Sequence, residues 1–238
     1  MPLLRPVAVH DVDRSAGDVT LHLGPQRGAV DWLAGSRPGD RAELDGPIGS
    51  PLRLAPRTHH LLLVTEGMAV DLVRLMAAEA LRAGRQVTLL GGASSARDVY
   101  PSSLLPDEVE YVVATADGSL GQAGSVVDVV PGYEAWADQA VCAGPPALQA
   151  AMVRLAAGRD GRLGVARLGS RRGRRGGRRP RSTAPGDRSW LQCLVQPRVG
   201  CALGVCLGCV IIGASGPVRP CREGPAFPAH HLLWPESP

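Results

Sequence analysis

The sequence has no lysine and a single phenylalanine, Phe227, and its aromatic content is only 3%. Cores must therefore be built from Val, Leu and Ala, and a flavin or base that needs a stacking partner has few candidates. No apolar run approaches the ~18 residues that span a bilayer. Met1 to His10 carries charges and prolines where a signal peptide has an apolar core. The expected compartment is the cytoplasm, with no membrane partner, and there six cysteines read as thiols or metal ligands rather than disulfides. No Ser–His–Asp set and no supported carboxylate pair emerges, so hydrolytic chemistry has nothing to rest on. The paired histidines His59-His60 and His230-His231 receive no role, because neighbours in a strand point to opposite faces.

Charge is present but local. The formal net charge is +4, all 26 basic residues are Arg, and about eleven of them lie between Arg159 and Arg188 against only Asp160 and Asp187. The remainder of the chain is acidic, near −5. Residues 159–189 hold almost nothing that can be buried and are expected to be a disordered, solvated linker. No aromatic interleaves the arginines, which speaks against base stacking and a nucleic-acid partner.

On either side of that linker the pattern is that of folded protein. Residues 1–56 read as short strands and turns: Pro6 to His10, Asp18 to Leu23, and Arg41 to Leu44 after the turn Arg37-Pro38-Gly39-Asp40. Too few strands are present to close a barrel. Residues 57–158 alternate strand and helix. His60 to Val64, Gln86 to Leu90, Val109 to Ala114 and Ala140 to Ala143 are strand-like, Val70 to Ala83 has helical spacing, and a last helix opens on Pro146. Such alternation implies a parallel sheet with nucleotide-sized clefts at the carboxyl ends of its strands. Residues 190–238 form a small third module.

That module carries the chemistry. Cys201, Cys206 and Cys209 stand in a C-x4-C-x2-C loop, and Cys221 follows at a distance, a spacing that suits a plant-type [2Fe–2S] cluster. Electron-rich sulfides need backbone N–H groups aimed at them with side chains out of the way, and Gly200, Gly204 and Gly208 permit such a loop. Val210 to Ile212, a turn at Ala214-Ser215-Gly216, and Val218 form a hairpin that delivers Cys221. A structural zinc site would also use four thiolates, though more often as two separated C-x2-C pairs. Reduced, incidental thiols are the third reading. Cys142, in an apolar strand, and Cys193, outside the loop, read as bystanders.

The loop from Gly200 to Val210 and the run Cys221 to Phe227 resemble the C-terminus of the electron-transfer subunit of class 1B dihydroorotate dehydrogenase, in the ferredoxin–NADP reductase-like family. Trp32 to Asp40 and Leu44 to Gly49 are similar to its flavin-domain turn. Ala114 to Gly121 with Gly124 is similar to its Thr-x-Asp-Gly-Ser-x-Gly stretch, and Val141 to Pro146 to its Cys-Gly-Pro-x-Pro segment. The resemblance implies α/β with β: a partial antiparallel β-barrel flavin domain, a parallel-sheet NAD-binding domain and a small C-terminal [2Fe–2S] module. It implies FAD and NAD beside the cluster, and an FMN-containing catalytic subunit as partner in a hetro-oligomer. It implies an oxidoreductase subunit that passes electrons through the cluster and FAD to NAD in pyrimidine biosynthesis. It assigns Cys201, Cys206, Cys209 and Cys221 to the metal, Arg5 to the flavin pyrophosphate, and Gly67, Asp117, Gly118, Ser119, Gly144 and Pro145 to nucleotide contacts. No catalytic side chain is assigned.

The sequence departs from the family in three places. Val7 and Ala8 replace an aromatic and a Ser after Arg5-Pro6, the strands that precede that motif are not in this sequence, and a glycine-rich turn becomes Thr65-Glu66-Gly67-Met68-Ala69-Val70-Asp71-Leu72. A Glu at that helix N-terminus repels a pyrophosphate. Two alternatives follow: an electron-transfer subunit of another reductase complex, or a flavin-free protein in which the cysteines form a binding or zinc module.

Overall fold

The structure is a computed structural model and describes residues 6–22, 33, 35–160 and 189–234. Arg5 and nearly all of the Arg-rich linker lie outside these residues. The central element is a seven-stranded sheet in the order β11-β8-β7-β3-β4-β5-β6. Its strands are β3 (His60–Glu66), β4 (Gln86–Ala93), β5 (Glu110–Thr115), β6 (Gln122–Ala123), β7 (Gln139–Ala143), β8 (Leu191–Leu194) and β11 (Ala226–Pro228). All neighbours are parallel except the β11–β8 pair.

The run Leu61-Leu62-Leu63-Val64 has no exposed surface at all, as a central strand covered on both faces requires. Alternation sorts it. Leu61 and Leu63 pack with Val73, Ala77 and Ala80 of helix α1 (Asp71–Arg82). Leu62 and Val64 face the other way, with Val126 and Val129 of the short α2 (Val126–Val129) and with Met152, Val153 and Ala156 of α3 (Pro146–Asp160).

From β3 the chain steps outward through β4, β5 and β6, then returns to place β7 on the opposite side of β3. The carboxyl ends of β3 and β7 thus flank the point where strand order reverses, the place where open α/β sheets bind ligands.

The segment read as a separate C-terminal module contributes two strands to this sheet. β8 lies parallel to β7, with Cys193 opposite Cys142. Between β8 and β11 the chain leaves to form the cysteine loop, a hairpin of β9 (Ile211–Gly213) and β10 (Gly216–Val218), and the one-turn α4 (Pro220–Glu223).

In residues 1–56 the described positions form less structure than expected. The described ones form an antiparallel ribbon of β1 (Val9–Asp13) and β2 (Asp18–Leu21) followed by extended chain. Its turn is closed by Asp13, whose carboxylate accepts from the Ser15 and Ala16 amides and the Ser15 hydroxyl at 2.8, 3.1 and 2.6 Å. Arg41 to Leu44 is not a strand: it has no pairing partner among the described residues, and Leu44 is 58% exposed. Without a neighbour to satisfy its backbone, an extended segment stays in water.

Candidate metal centre and nucleotide cleft

The hairpin turns the chain back so that Cys221, on α4, meets the loop. Its Sγ lies 3.3 Å from that of Cys209, and both residues are buried. Cys201 and Cys206 make a second, more exposed pair, with the Cys206 amide donating to Cys201 Sγ at 3.4 Å. Around a single tetrahedral zinc with bonds of ~2.3 Å, all four sulfurs sit within ~3.8 Å of one another. Here, among the described residues, no three of the four come within 4.8 Å of each other. Two pairs set apart is the layout that two irons, each holding two thiolates, require.

The loop backbone is shaped for this. Ala202 and Leu207 have φ of 55° and 57°, and they are the only non-glycine residues with positive φ among those described. Such conformations are costly and collect at functional sites. Gly204 also has positive φ, at 78°. At Gly200 a Cβ would stand 3.1 Å from Cys206 Sγ, a tight contact that the glycine avoids. Gly208 has neither constraint, but its amide donates to Cys206 Sγ at 3.4 Å.

Amides converging on Cys201, that of Cys206 foremost, lower its thiol to about 6. Burial and the neighbouring Cys209 push the Cys221 thiol up. Burial raises Cys142 and takes Cys193 to about 12, so neither is a ready thiolate.

A contact not visible in the sequence joins the N-terminal segment to this centre. The Ser50 amide donates to the Gly224 carbonyl at 2.5 Å and the Ser50 hydroxyl to that of Arg222 at 3.0 Å. The glycine-proline turn Asp45 to Gly49 is thereby laid against α4. Gly49 has φ of 89°, and a Cβ there would stand 2.1 Å from the Gly224 oxygen. Gly49→Ala is expected to cost about 1–3 kcal/mol. Thermal unfolding checks this, and an unchanged midpoint contradicts the contact.

A cleft of about 270 Å³ opens at the carboxyl ends of β3, β4 and β5, lined by Glu66, Gly92, Ala93, Ser94, Ala116 and Ser125 among others. Gly67 starts the turn into α1 with φ of 57°. Gly144, at the end of β7, has φ of 156° and lies against the same turn, since a Cβ there would be 3.5 Å from Glu66 Cβ. Pro145 follows it, exposed, and its carbonyl accepts from the Gln149 amide at 3.2 Å. Asp117, Gly118 and Ser119 form an exposed turn beside the cleft. There Asp117 accepts from the Ser119 hydroxyl and amide, which lowers the Asp117 carboxyl, and Ser119 in turn accepts from the Ala96 amide at 2.8 Å. The structure thus gathers Gly67 and Gly144 at the strand crossover and sets Asp117 to Ser119 one step away.

With this geometry in place, similarity to known proteins is informative. Residues 196–233 match the iron–sulfur cluster binding domain of dihydroorotate dehydrogenase B. Over 98% of its length the chain is 28% identical to the dihydroorotate dehydrogenase B (NAD(+)) electron transfer subunit of Desulforamulus reducens, covering 81% of that protein. The chain is similar to this electron transfer subunit over nearly its whole length. The corresponding subunit of Shouchella clausii is 27% identical over 97% of the chain and 80% of its own length. In fold, the chain is similar to a solved NADH-dependent reduced ferredoxin-NADP oxidoreductase, with a TM-score of 0.74 at 19% identity, over 97% of this chain and 74% of that one. The matched segment contains all four cysteines of the loop and α4, and it excludes Cys142 and Cys193.

Proposed function

We propose that this chain is an electron transfer subunit that carries electrons from a dihydroorotate-oxidising catalytic subunit to NAD, with Cys201, Cys206, Cys209 and Cys221 holding a [2Fe–2S] cluster. The observation that carries the reading is the convergence of these thiols as two pairs under backbone N–H donors. A bound cluster exchanges one electron, a hydride carries two, and a flavin converts between them. What the chain supplies is a rigid loop, amides that favour the charged thiolates, and exclusion of water from Cys209 and Cys221.

The four thiols fit the cluster, and the cleft beside Gly67 and Gly144 fits a dinucleotide at a strand crossover. FAD belongs to the same reading, but of the residues expected to meet it Arg5 lies outside the described set, and Val7 and Ala8 offer neither a ring nor a hydroxyl.

The rim of the loop suits a partner protein. Leu203, Val205 and Leu207 are 66%, 74% and 61% exposed, a grouping of bare aliphatic side chains that marks an interaction surface. A soluble cytoplasmic hetero-oligomer follows as part of the proposal. Among the described residues no helix is long and apolar enough to cross a membrane.

The test is anaerobic purification after co-expression with the catalytic subunit, followed by iron, acid-labile sulfide and flavin analysis. About two irons and two sulfides per chain are expected. Bound zinc in place of iron would sink the assignment. Glu66, which lines the cleft at the entry to α1, opposes a pyrophosphate. Glu66→Gln is expected to tighten NADH binding about 2–5-fold, the worth of one removed charge at a helix N-terminus. Fluorescence titration of NADH reads this directly.

A further inference from the structure

Three residues far apart in sequence meet where the β1–β2 ribbon rests on α1. His10 ends its approach 3.4 Å (Nδ1) from Asp71 Oδ1, and His22 Nδ1 lies 3.1 and 2.9 Å from the two Asp71 oxygens. One ligand atom from each residue can be chosen so that all lie within 4.8 Å of one another, and this is the one such trio of His, Cys, Asp or Glu among the described residues. His10 and Asp71 are 7% and 8% exposed, while His22 keeps 26% of its side chain open to solvent.

We propose that His10, His22 and Asp71 form a divalent-metal site of zinc type that staples the β1–β2 ribbon to the start of α1. Two imidazoles and a carboxylate are a donor set that zinc favours, and bonds of ~2.0–2.2 Å place tetrahedral ligand atoms ~3.3 Å apart, close to the separations above. Tyr100 Oη donates to Asp71 Oδ1 at 2.8 Å and can accept from His10 Nδ1 at 3.4 Å. Tyr100 then acts as the outer partner that orients the carboxylate, and the open side of His22 leaves room for a water as fourth ligand. The nearby cation does not compete: Arg74 is committed to the His10 and Leu104 carbonyls at 2.6 and 2.7 Å and faces Asp11 at 3.6 Å. A two-stranded ribbon is marginal alone, and metal binding at its junction supplies folding energy. The site stands independently of the cysteine cluster.

The experiment is metal analysis of the full chain after incubation with zinc chloride and gel filtration, with X-ray absorption at the zinc edge. It compares the native chain with Asp71→Asn and with His22→Ala, the latter at a partly open position that leaves the core intact. The native chain is expected to hold about one zinc with only nitrogen and oxygen neighbours. His22→Ala is expected to lower retention at least about tenfold, with iron and sulfide unchanged. Equal zinc in native and His22→Ala chains, no zinc in the native chain, or sulfur neighbours around the zinc each overturn the site.

Discussion

Cys209→Ser is expected to empty the cluster site, taking iron from about two per chain to near zero. Cys209 is 3% exposed and its Sγ sits 3.3 Å from that of Cys221, so this pair forms the buried half of the centre. A serine oxygen there is a hard, weakly acidic donor in a place shaped for a thiolate, and the remaining three sulfurs leave one iron a ligand short. The loop cannot shift to repair this, since its positive-φ residues Ala202 and Leu207 already fix its course. Cys193→Ala is the matched control. Cys193 is buried in β8 with its thiol raised to about 12 and lies opposite Cys142, so its loss leaves iron and sulfide at native levels. Iron retained in Cys209→Ser, or lost in Cys193→Ala, contradicts the ligand set.

The contrast between these two cysteines shows what a sequence carries. The ligand loop was legible because its chemistry is local: three cysteines and their glycines fall within ten residues, and the spacing alone restricts the metal. The inner strands were legible for a similar reason, since Leu61 to Val64 is an apolar run, and Val87 to Leu90 is one but for Thr88, of the kind that a doubly covered sheet buries. β8 and β11 were not. Leu191-Gln192-Cys193-Leu194 and Ala226-Phe227-Pro228 are too short to declare themselves, and they become strands because β7 offers an unpaired edge. Arg41 to Leu44 shows the reverse error, a strand-like segment that joins no edge among the described residues. His10, His22 and Asp71 leave no signal at all in the sequence, because 61 residues separate His10 from Asp71 and only the packing of the ribbon on α1 brings them together.

Trp190→Ala is expected to be the most damaging single change outside the cluster. Trp190 immediately precedes β8. It is 5% exposed and packs with Ala137, Ala140 and Leu191 in the core on the α3 side of the sheet. Its indole N–H donates to the Ala137 carbonyl at 3.0 Å, and its own carbonyl accepts from the Ala140 amide at 2.7 Å. Truncation leaves a large cavity and removes one of these bonds, a loss of about 3–5 kcal/mol. For a chain of this size that lowers the unfolding midpoint by about 6–20 °C. The consequence reaches the metal centre, because β8 leads into the cysteine loop and β11, paired with β8, receives the chain from α4. Iron content is therefore expected to fall together with stability. Trp190→Phe, which fills most of the cavity and loses only the indole donor, is expected to cost about 1–2 kcal/mol and to keep its iron. A native midpoint in Trp190→Ala would mean that β8 is held by other contacts and that the cluster module is anchored elsewhere.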